Sequence, residues 1–252
     1  MVFQSLLELS SVNFILQPWK SLETLDRCNQ THNDIKPQNY LVKFKNGFDK
    51  NDTSKNDLGG TLTNACVLFV DIRGFTSFSE KTTASELVAI LNKYFTDMID
   101  IVYEFNGTLD KIIGDELMVL FGIPNNSEND CQNAVDCAIT MFKRLDFFNE
   151  ELQKQKNHKL KIGIGIHFGE VVAGNIGSDK QMNYTVIGDN VNQAARFCSY
   201  AKPNELVISE SVYDNISNKS LFSDQIFINV KGKENSIPIR KFNHKSIKQP
   251  FL

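Results

Sequence analysis

Two aspartates stand where a metal site could form. Asp71 lies in the apolar run ACVLFVDI at 65–72, which predicts a strand buried on both faces, and Asp115 separates two shorter strand-like runs at 108–112 and 116–121. In a β-α-β-β arrangement the first strand lies beside the hairpin, so the two carboxylates can meet at one end of the sheet. Such a pair suits Mg²⁺, which leaves coordination positions for phosphate and water. The alternative is that Asp71 caps the next segment and Asp115 fills a turn, because aspartate is common in both places.

Helical and alternating patterns predict the elements that would position this pair. Apolar residues recur at three- and four-residue steps over 85–105 and 128–155, and a shorter helix is predicted at 189–200. Further strands are predicted at 161–166, 170–176, 184–187, 206–208, 226–230 and 238–242. The order β-α-β-β-α-β, with more units appended, predicts an α+β fold with a ferredoxin-like core and helices packed on a mainly antiparallel sheet.

Composition restricts the class of protein. The 252 residues include 27 basic and 30 acidic side chains, a net charge of −3, and 41% apolar residues, so the chain is expected to be globular and not a nucleic-acid-binding protein. The five cysteines contain no C-x-x-C pair, which favours reduced thiols and a cytoplasmic protein. No run approaches the ~18 apolar residues of a membrane-spanning helix, so no membrane segment is expected in this chain.

Four motifs resemble those of the class III nucleotide cyclases, in the family's order. They are VDIRGFT at 70–76, DKIIGDEL at 110–117, GIGIHFGEVVAGNIG at 163–177 and YTVIGDNVNQAAR at 184–196. The resemblance covers about residues 60–242. It implies that the chain converts a nucleoside triphosphate to a 3′,5′-cyclic monophosphate and pyrophosphate, by attack of the ribose 3′-oxygen on the α-phosphorus.

The first two motifs imply a metal and phosphate site. By this resemblance Asp71, Asp115 and the Ile72 carbonyl hold two Mg²⁺ or Mn²⁺ ions, which activate the attacking oxygen and bind the β- and γ-phosphates. A strand-to-helix turn follows Ile72, and the start of a helix favours phosphate. The backbone N–H groups expected to bind phosphate at this turn are those of Gly74, Phe75 and Thr76.

Lys111 and Thr185 align with the family's base-selecting pair. Lysine only donates hydrogen bonds, which suits the acceptor N1 of adenine, and a threonine hydroxyl can accept from the 6-amino group. A guanine site is expected to have a carboxylate at the position of Lys111, so ATP is the predicted substrate. Threonine in place of the aspartate of many animal enzymes is similar to the bacterial and bicarbonate-responsive branch of the family, which implies stimulation by bicarbonate.

The last motif carries the residues that act in the transition state. Asn192 and Arg196 lie four positions apart on one predicted helix, and the resemblance implies that they orient the ribose and stabilise charge on the α-phosphate. Lys231 resembles the family's lysine for the terminal phosphates; a solvated turn is its alternative, and Lys233 competes for the role. In this family the metal-binding aspartates come from one protomer, and the base-selecting and transition-state residues come from its partner. Because this chain has both sets, a head-to-tail homodimer is predicted.

The N-terminal part of the chain does not match the cyclase pattern. A polar stretch at 46–60 predicts a linker, which divides an N-terminal segment (1–58) from a cyclase domain (59–245) and a tail (246–252). Within the first segment HNDIKPQN resembles the catalytic loop of protein kinases, but a glycine-rich loop and D-F-G are missing from the sequence. A relic of a kinase-like domain, or a chain truncated from a longer kinase–cyclase fusion, accounts for this motif better than kinase activity, and coincidence is a further explanation. A fused or upstream regulatory domain is the expected partner.

Two other functions remain open from the sequence. The first is a guanylyl cyclase, which shares the motifs. The second is a non-catalytic nucleotide-binding or dimerisation module that regulates a fused partner. The complete set of predicted site residues argues against the second, since a degenerate copy would usually have lost at least one of them.

Overall fold

The computed structural model describes residues 58–154, 158–178, 180–229 and 235–243. Its elements in chain order are β1 (Gly59–Ile72), α1 (Phe75–Ser79), α2 (Ala84–Glu104), β2 (Thr108–Ile113), β3 (Glu116–Phe121), α3 (Asp130–Lys154), β4 (Ile162–Ser178), β5 (Gln181–Ile187), α4 (Asp189–Tyr200), β6 (Glu205–Ser209), α5 (Glu210–Asp214), β7 (Ile226–Ile228) and β8 (Ile237–Lys241). The kinase-like motif, most of the predicted linker and the tail at 246–252 lie outside the described residues.

In the described part of the chain eight strands form one sheet, in the order β2-β3-β1-β4-β6-β8-β7, with β5 paired to β4. The pairs are antiparallel except for β4 with β6, which is parallel. The order β2-β3-β1-β4, joined by helices, is the predicted ferredoxin-like core. The mainly antiparallel α+β architecture is therefore confirmed.

From Ala65 to Val70 both faces of β1 are buried, which explains why the sequence there is continuously apolar. Cys66, Leu68 and Val70 face the cluster that contains α2 and α3. The alternate residues Val67 and Phe69 face α4 on the other side of the sheet. Because a fully buried large apolar side chain contributes roughly 1.5–3 kcal/mol, this double burial fixes the position of the strand that ends at Asp71.

Helix α2 begins at a complete capping box. The Thr83 side chain accepts from the Glu86 backbone N–H, and the Glu86 side chain accepts from the Thr83 backbone N–H. The chain leaves the helix at Asn106, whose φ of 59° is in the left-handed region. Asparagine tolerates this conformation, so Asn106 can make the turn that ends the helix.

Two predicted boundaries are wrong. The strands predicted at 161–166 and 170–176 are one strand, β4, because it pairs with β1 without interruption from Ile162 opposite Ile72 to Asn175 opposite Gly59. That pairing also places Gly59 and Gly60 in β1, although the polar pattern assigned them to the linker. In both cases continuous backbone pairing outweighed local composition.

No helix in the described ranges is long and apolar enough to cross a membrane.

Candidate active site

The structure brings Asp71 and Asp115 together at one end of the sheet. β1 and β3 pair antiparallel with Val70 opposite Leu117, so the end of β1 lies beside the turn between β2 and β3. Asp115 lies close enough to Asp71 and to the backbone of Ile72 for both to influence the pKa of its carboxyl. Two strands that are far apart in sequence thus deliver the predicted metal ligands to one place.

Asp115 and its neighbour Glu116 have raised pKa values. Burial and, after it, the charge of Asp71 together raise the pKa of Asp115 to about 6, while backbone N–H donors oppose the change. Burial also raises the pKa of Glu116 to about 7, with added repulsion from Asp71 and Asp115 and an opposing effect of Arg73. Crowded carboxylates of this kind favour either a proton or a cation.

Arg73 links the carboxylate cluster to helix α4. Its guanidinium donates to the Asp71 carboxylate and to the backbone carbonyl of Cys198, and its Nη2 lies 3.6 Å from Cys198 Sγ. Gly163 provides the space, since a Cβ there would lie 2.2 Å from Arg73 Nη2. The arginine therefore joins the strand that carries Asp71 to the helix that carries the predicted transition-state residues.

Several residues of this region were not predicted from the sequence. Arg73 and Glu116 lie inside the motifs, directly beside the predicted ligands, and that adjacency was the available signal. Tyr94 resembled any other residue of the apolar stripe of α2. Its side chain is fully buried, and burial together with the charges of Asp115 and Asp71 raises the pKa of the phenol, which stays protonated.

The carboxylate pair fits a divalent cation. Asp71 and Asp115 supply two oxygen ligands at the end of β1, and their mutual repulsion, seen in the raised pKa of Asp115, is what a bound cation would relieve. Within the described ranges no group of three or more His, Cys, Asp or Glu side chains is arranged to hold a metal. A site with two carboxylates is the arrangement that leaves positions for substrate phosphate.

The predicted phosphate-binding turn follows β1 directly. Gly74 has φ 77° and ψ 21°, a left-handed conformation that glycine adopts without strain, and α1 begins at Phe75. Thr76 is exposed, and the α1 cap has no side-chain hydrogen bond. The turn therefore presents backbone N–H groups next to the carboxylate pair, without a side chain over them at Gly74.

A second group of polar residues forms where β2 faces β5. Lys111 Nζ donates to Thr185 Oγ1 over 2.9 Å, and Thr185 is buried. Asp110, which was not predicted, accepts from the Thr185 hydroxyl over 3.0 Å and pairs with Lys111 Nζ at 2.9 Å. The two predicted base-selecting residues are therefore in direct contact, and a buried carboxylate holds both.

Helix α4 carries Asn192 and Arg196 on its outer face. Asn192 is exposed, and Arg196 Nη1 lies 3.7 Å from Asp189 Oδ1. The inner face packs directly on β4 because Gly165 has no side chain; a Cβ there would lie 2.1 Å from the backbone nitrogen of Cys198. This close approach fixes the height of the helix above the sheet.

The predicted site residues thus form separate groups within one chain. Among the described residues no hydrogen bond or ion pair joins Asp71 or Asp115 to Lys111 or Thr185. Lys231 lies outside the described residues.

Comparisons with known proteins agree with this geometry. Residues 60–241 match the family described as Adenylate and Guanylate cyclase catalytic domain. An adenylate cyclase of Anabaena cylindrica is 39% identical over 182 residues, which are 69% of this chain and 35% of that protein. The chain thus spans about a third of this curated relative.

The chain is similar to solved structures of both adenylyl and guanylyl cyclases. The adenylyl cyclase CyaB from P. aeruginosa is 35% identical with a TM-score of 0.69, over 74% of this chain and 96% of that one. The guanylyl cyclase Cya2 is 34% identical with a TM-score of 0.70, over 73% and 94%. The fold, the carboxylate pair and the matched family define a nucleotide cyclase catalytic domain. This chain belongs to the adenylate and guanylate cyclase family.

Proposed function

We propose that this chain is an adenylyl cyclase that converts ATP to 3′,5′-cyclic AMP and pyrophosphate. The observation that carries this proposal is the contact between Lys111 Nζ and Thr185 Oγ1 at 2.9 Å. Adenine presents the acceptor N1 beside the donor 6-amino group, and this pair offers a donor beside a hydroxyl oxygen. An unmatched polar contact costs about 1–3 kcal/mol, which is enough to favour ATP over GTP.

The carboxylate pair would hold the divalent ions that the family implies. Asp71, Asp115 and the Ile72 carbonyl are the proposed ligands for Mg²⁺ or Mn²⁺. When bound, the ions lower the pKa of the ribose 3′-hydroxyl and neutralise charge on the triphosphate. Arg73 holds the Asp71 carboxylate at the end of β1, which keeps it beside Asp115.

The remaining residues position the nucleotide. The backbone N–H groups of Gly74, Phe75 and Thr76 donate to phosphate oxygens, and Asn192 orients the ribose. The 3′-hydroxyl loses its proton to solvent water, and its oxygen forms a bond to the α-phosphorus while the bond to the pyrophosphate oxygen breaks. Arg196 stabilises the charge that develops at the α-phosphate.

Lys231 is proposed to bind the departing pyrophosphate, an assignment that still rests on its motif.

Complete sites would form in a head-to-tail homodimer. Asp71 and Asp115 of one protomer would face Lys111, Thr185 and the α4 residues of its partner, because one chain presents these groups without contacts between them.

We also propose a reducing, cytoplasmic location, which is supported by the free, buried cysteines 66, 131, 137 and 198 of the described residues. Bicarbonate stimulation, proposed from Thr185 alone, is tested by assays with and without bicarbonate.

A guanylyl cyclase is the second candidate, because the similar structure Cya2 is a guanylyl cyclase. Purified protein should be incubated with Mn²⁺ and either ATP or GTP, and the cyclic products measured. Preference for ATP is expected. Preference for GTP would refute the hydrogen-bond match that we propose between adenine and the Lys111–Thr185 pair. Absence of product from either nucleotide, with a dimer present, would favour the non-catalytic module.

Mixing two inactive variants tests the dimer. Asp71→Ala and Arg196→Ala should each abolish activity without unfolding the chain, because each damages both sites of its homodimer. In a mixed dimer one site carries both substitutions and the other carries neither. An equal mixture should therefore recover about a quarter of wild-type activity. No recovery, with exchange of protomers verified, would show that the site lies within one chain.

A further inference from the structure

Asp110 is a buried carboxylate beside an exposed lysine. Only 1% of its side chain is exposed, against 42% for Lys111, which follows it. Consecutive residues of a regular strand point to opposite faces of the sheet. The pairing of β2 with β3 shifts between Leu109 and Lys111, which makes Asp110 the extra residue of a bulge. The bulge lets both side chains approach one partner.

That partner is the Thr185 hydroxyl. It donates to Asp110 Oδ2 over 3.0 Å and accepts from Lys111 Nζ over 2.9 Å. A hydroxyl has one proton and two lone pairs, so these bonds leave Thr185 one lone pair and no proton for a ligand. Lys111 Nζ is also 2.9 Å from Asp110 Oδ2. An ammonium has three protons, so Lys111 keeps one to donate.

We propose that Asp110 is a specificity-determining positioning residue that fixes the Thr185 hydroxyl as an acceptor. A carboxylate only accepts hydrogen bonds, so it holds the threonine proton in one direction. The site then favours a purine with an amino group beside an acceptor ring nitrogen, and it opposes a carbonyl oxygen at the same position. This inference rests on the proposed adenylyl specificity and identifies the residue that enforces it.

The test measures how strongly the enzyme requires the 6-amino group. Purine riboside triphosphate lacks that group, and inosine triphosphate has a carbonyl oxygen in its place. For the wild type, kcat/KM should fall in the order ATP, purine riboside triphosphate, inosine triphosphate. The first step should be about 10- to 100-fold, since the analogue leaves the buried hydroxyl oxygen without its hydrogen-bond partner.

The perturbation is Asp110→Asn, which keeps the size of the side chain. The amide can donate to Thr185, so the hydroxyl proton is released toward the base. We expect the ratio of kcat/KM for ATP to that for purine riboside triphosphate to fall to within about threefold, and inosine triphosphate to become the better of the two analogues. A purely structural role would lower all three values together and leave their ratios unchanged.

Asp97→Asn is the matched control. Asp97 has 14% of its side chain exposed and pairs with Arg144 at 2.8 Å, between α2 and α3. This substitution, like Asp110→Asn, therefore removes a largely buried, ion-paired carboxylate. Its nucleotide ratios should equal those of the wild type. The affinities of the three nucleotides, measured by calorimetry with Ca²⁺ in place of Mn²⁺, should follow the same order as kcat/KM and do not depend on turnover.

The possible results separate this inference from the proposed function. If folded Asp110→Asn protein keeps the wild-type ratios of kcat/KM for the three nucleotides, the proposed role of Asp110 is overturned. The proposed formation of cyclic AMP would be unaffected by that result. If that variant does not fold, the wild-type ranking decides, and inosine triphosphate performing as well as purine riboside triphosphate would overturn the inference. Absence of any cyclic product from the wild type would overturn the proposed function, and the affinities would still test Asp110.

Discussion

Lowering the pH should weaken metal binding at the Asp71–Asp115 pair. The pKa of Asp115 is raised to about 6 in the metal-free protein, by burial and then by the charge of Asp71. A protonated carboxyl does not bind Mg²⁺ or Mn²⁺, so the metal must displace the proton. The competition begins near neutral pH, where an ordinary aspartate would already be fully ionised.

The magnitude follows from the fraction of ionised Asp115. With a pKa of about 6, roughly a tenth of the carboxyl is ionised at about pH 5 and nearly all of it at about pH 8. The dissociation constant for Mn²⁺ should therefore rise about tenfold over this range. A carboxyl with the ordinary pKa of about 4 would change it by only about a tenth.

Calorimetry of Mn²⁺ binding at several pH values is the direct assay. Experiments in buffers of different ionisation enthalpy should also detect release of about half a proton at about pH 6. Glu116→Gln is the control, since Glu116 has its pKa raised to about 7 and is largely neutral where Asp115 titrates. A dissociation constant that stays the same from about pH 8 to about pH 5 would refute the raised pKa of Asp115.

Two further predictions concern stability. Glu116 has a folded-state pKa of about 7, above its unfolded value, so its ionisation destabilises the metal-free fold and the melting temperature should fall as pH rises from about 5 to about 8. Glu116→Gln should make that fall smaller and leave the part that comes from the raised pKa of Asp115, and an unchanged slope would contradict the assignment. Gly165→Ala places a Cβ 2.1 Å from the backbone nitrogen of Cys198, so α4 must move outward. The free energy of unfolding in urea should fall by about 1–3 kcal/mol, and activity should fall by more than this loss of stability explains. Gly60→Ala, whose Cβ first meets the end of the Val172 side chain, should cost less, and equal costs would argue against the role of Gly165.

Local patterns were sufficient for the three long helices. Helix α4 has the predicted bounds, and α2 and α3 differ from prediction by a residue or two at each end, because a 3.6-residue periodicity is written into the residues that form the buried face. The short helices α1 and α5 were missed, since five residues are too few to show a period. The length of β4 was also missed, because it depends on pairing with β1, which is far away in sequence.

The same distinction applies to the candidate site. Each predicted residue in the described ranges lies in the element assigned to it, and the meeting of Asp71 with Asp115 followed from the order of strands. The roles assigned to these residues remain predictions. Arg73 was in a recognised motif, but its contact with Cys198, 125 positions away, has no counterpart in local sequence.

By itself the sequence determined the class of fold, the family and the residues expected to bind metal, phosphate and base, because these depend on residue type and short-range order. The tertiary structure decided how those residues act on one another. Asp110 is an ordinary strand residue in the sequence, and only a bulge in β2 and the packing of β5 place it 3.0 Å from a threonine 75 positions later. Burial likewise decided the protonation of Asp115, since desolvation depends on which segments cover the carboxyl.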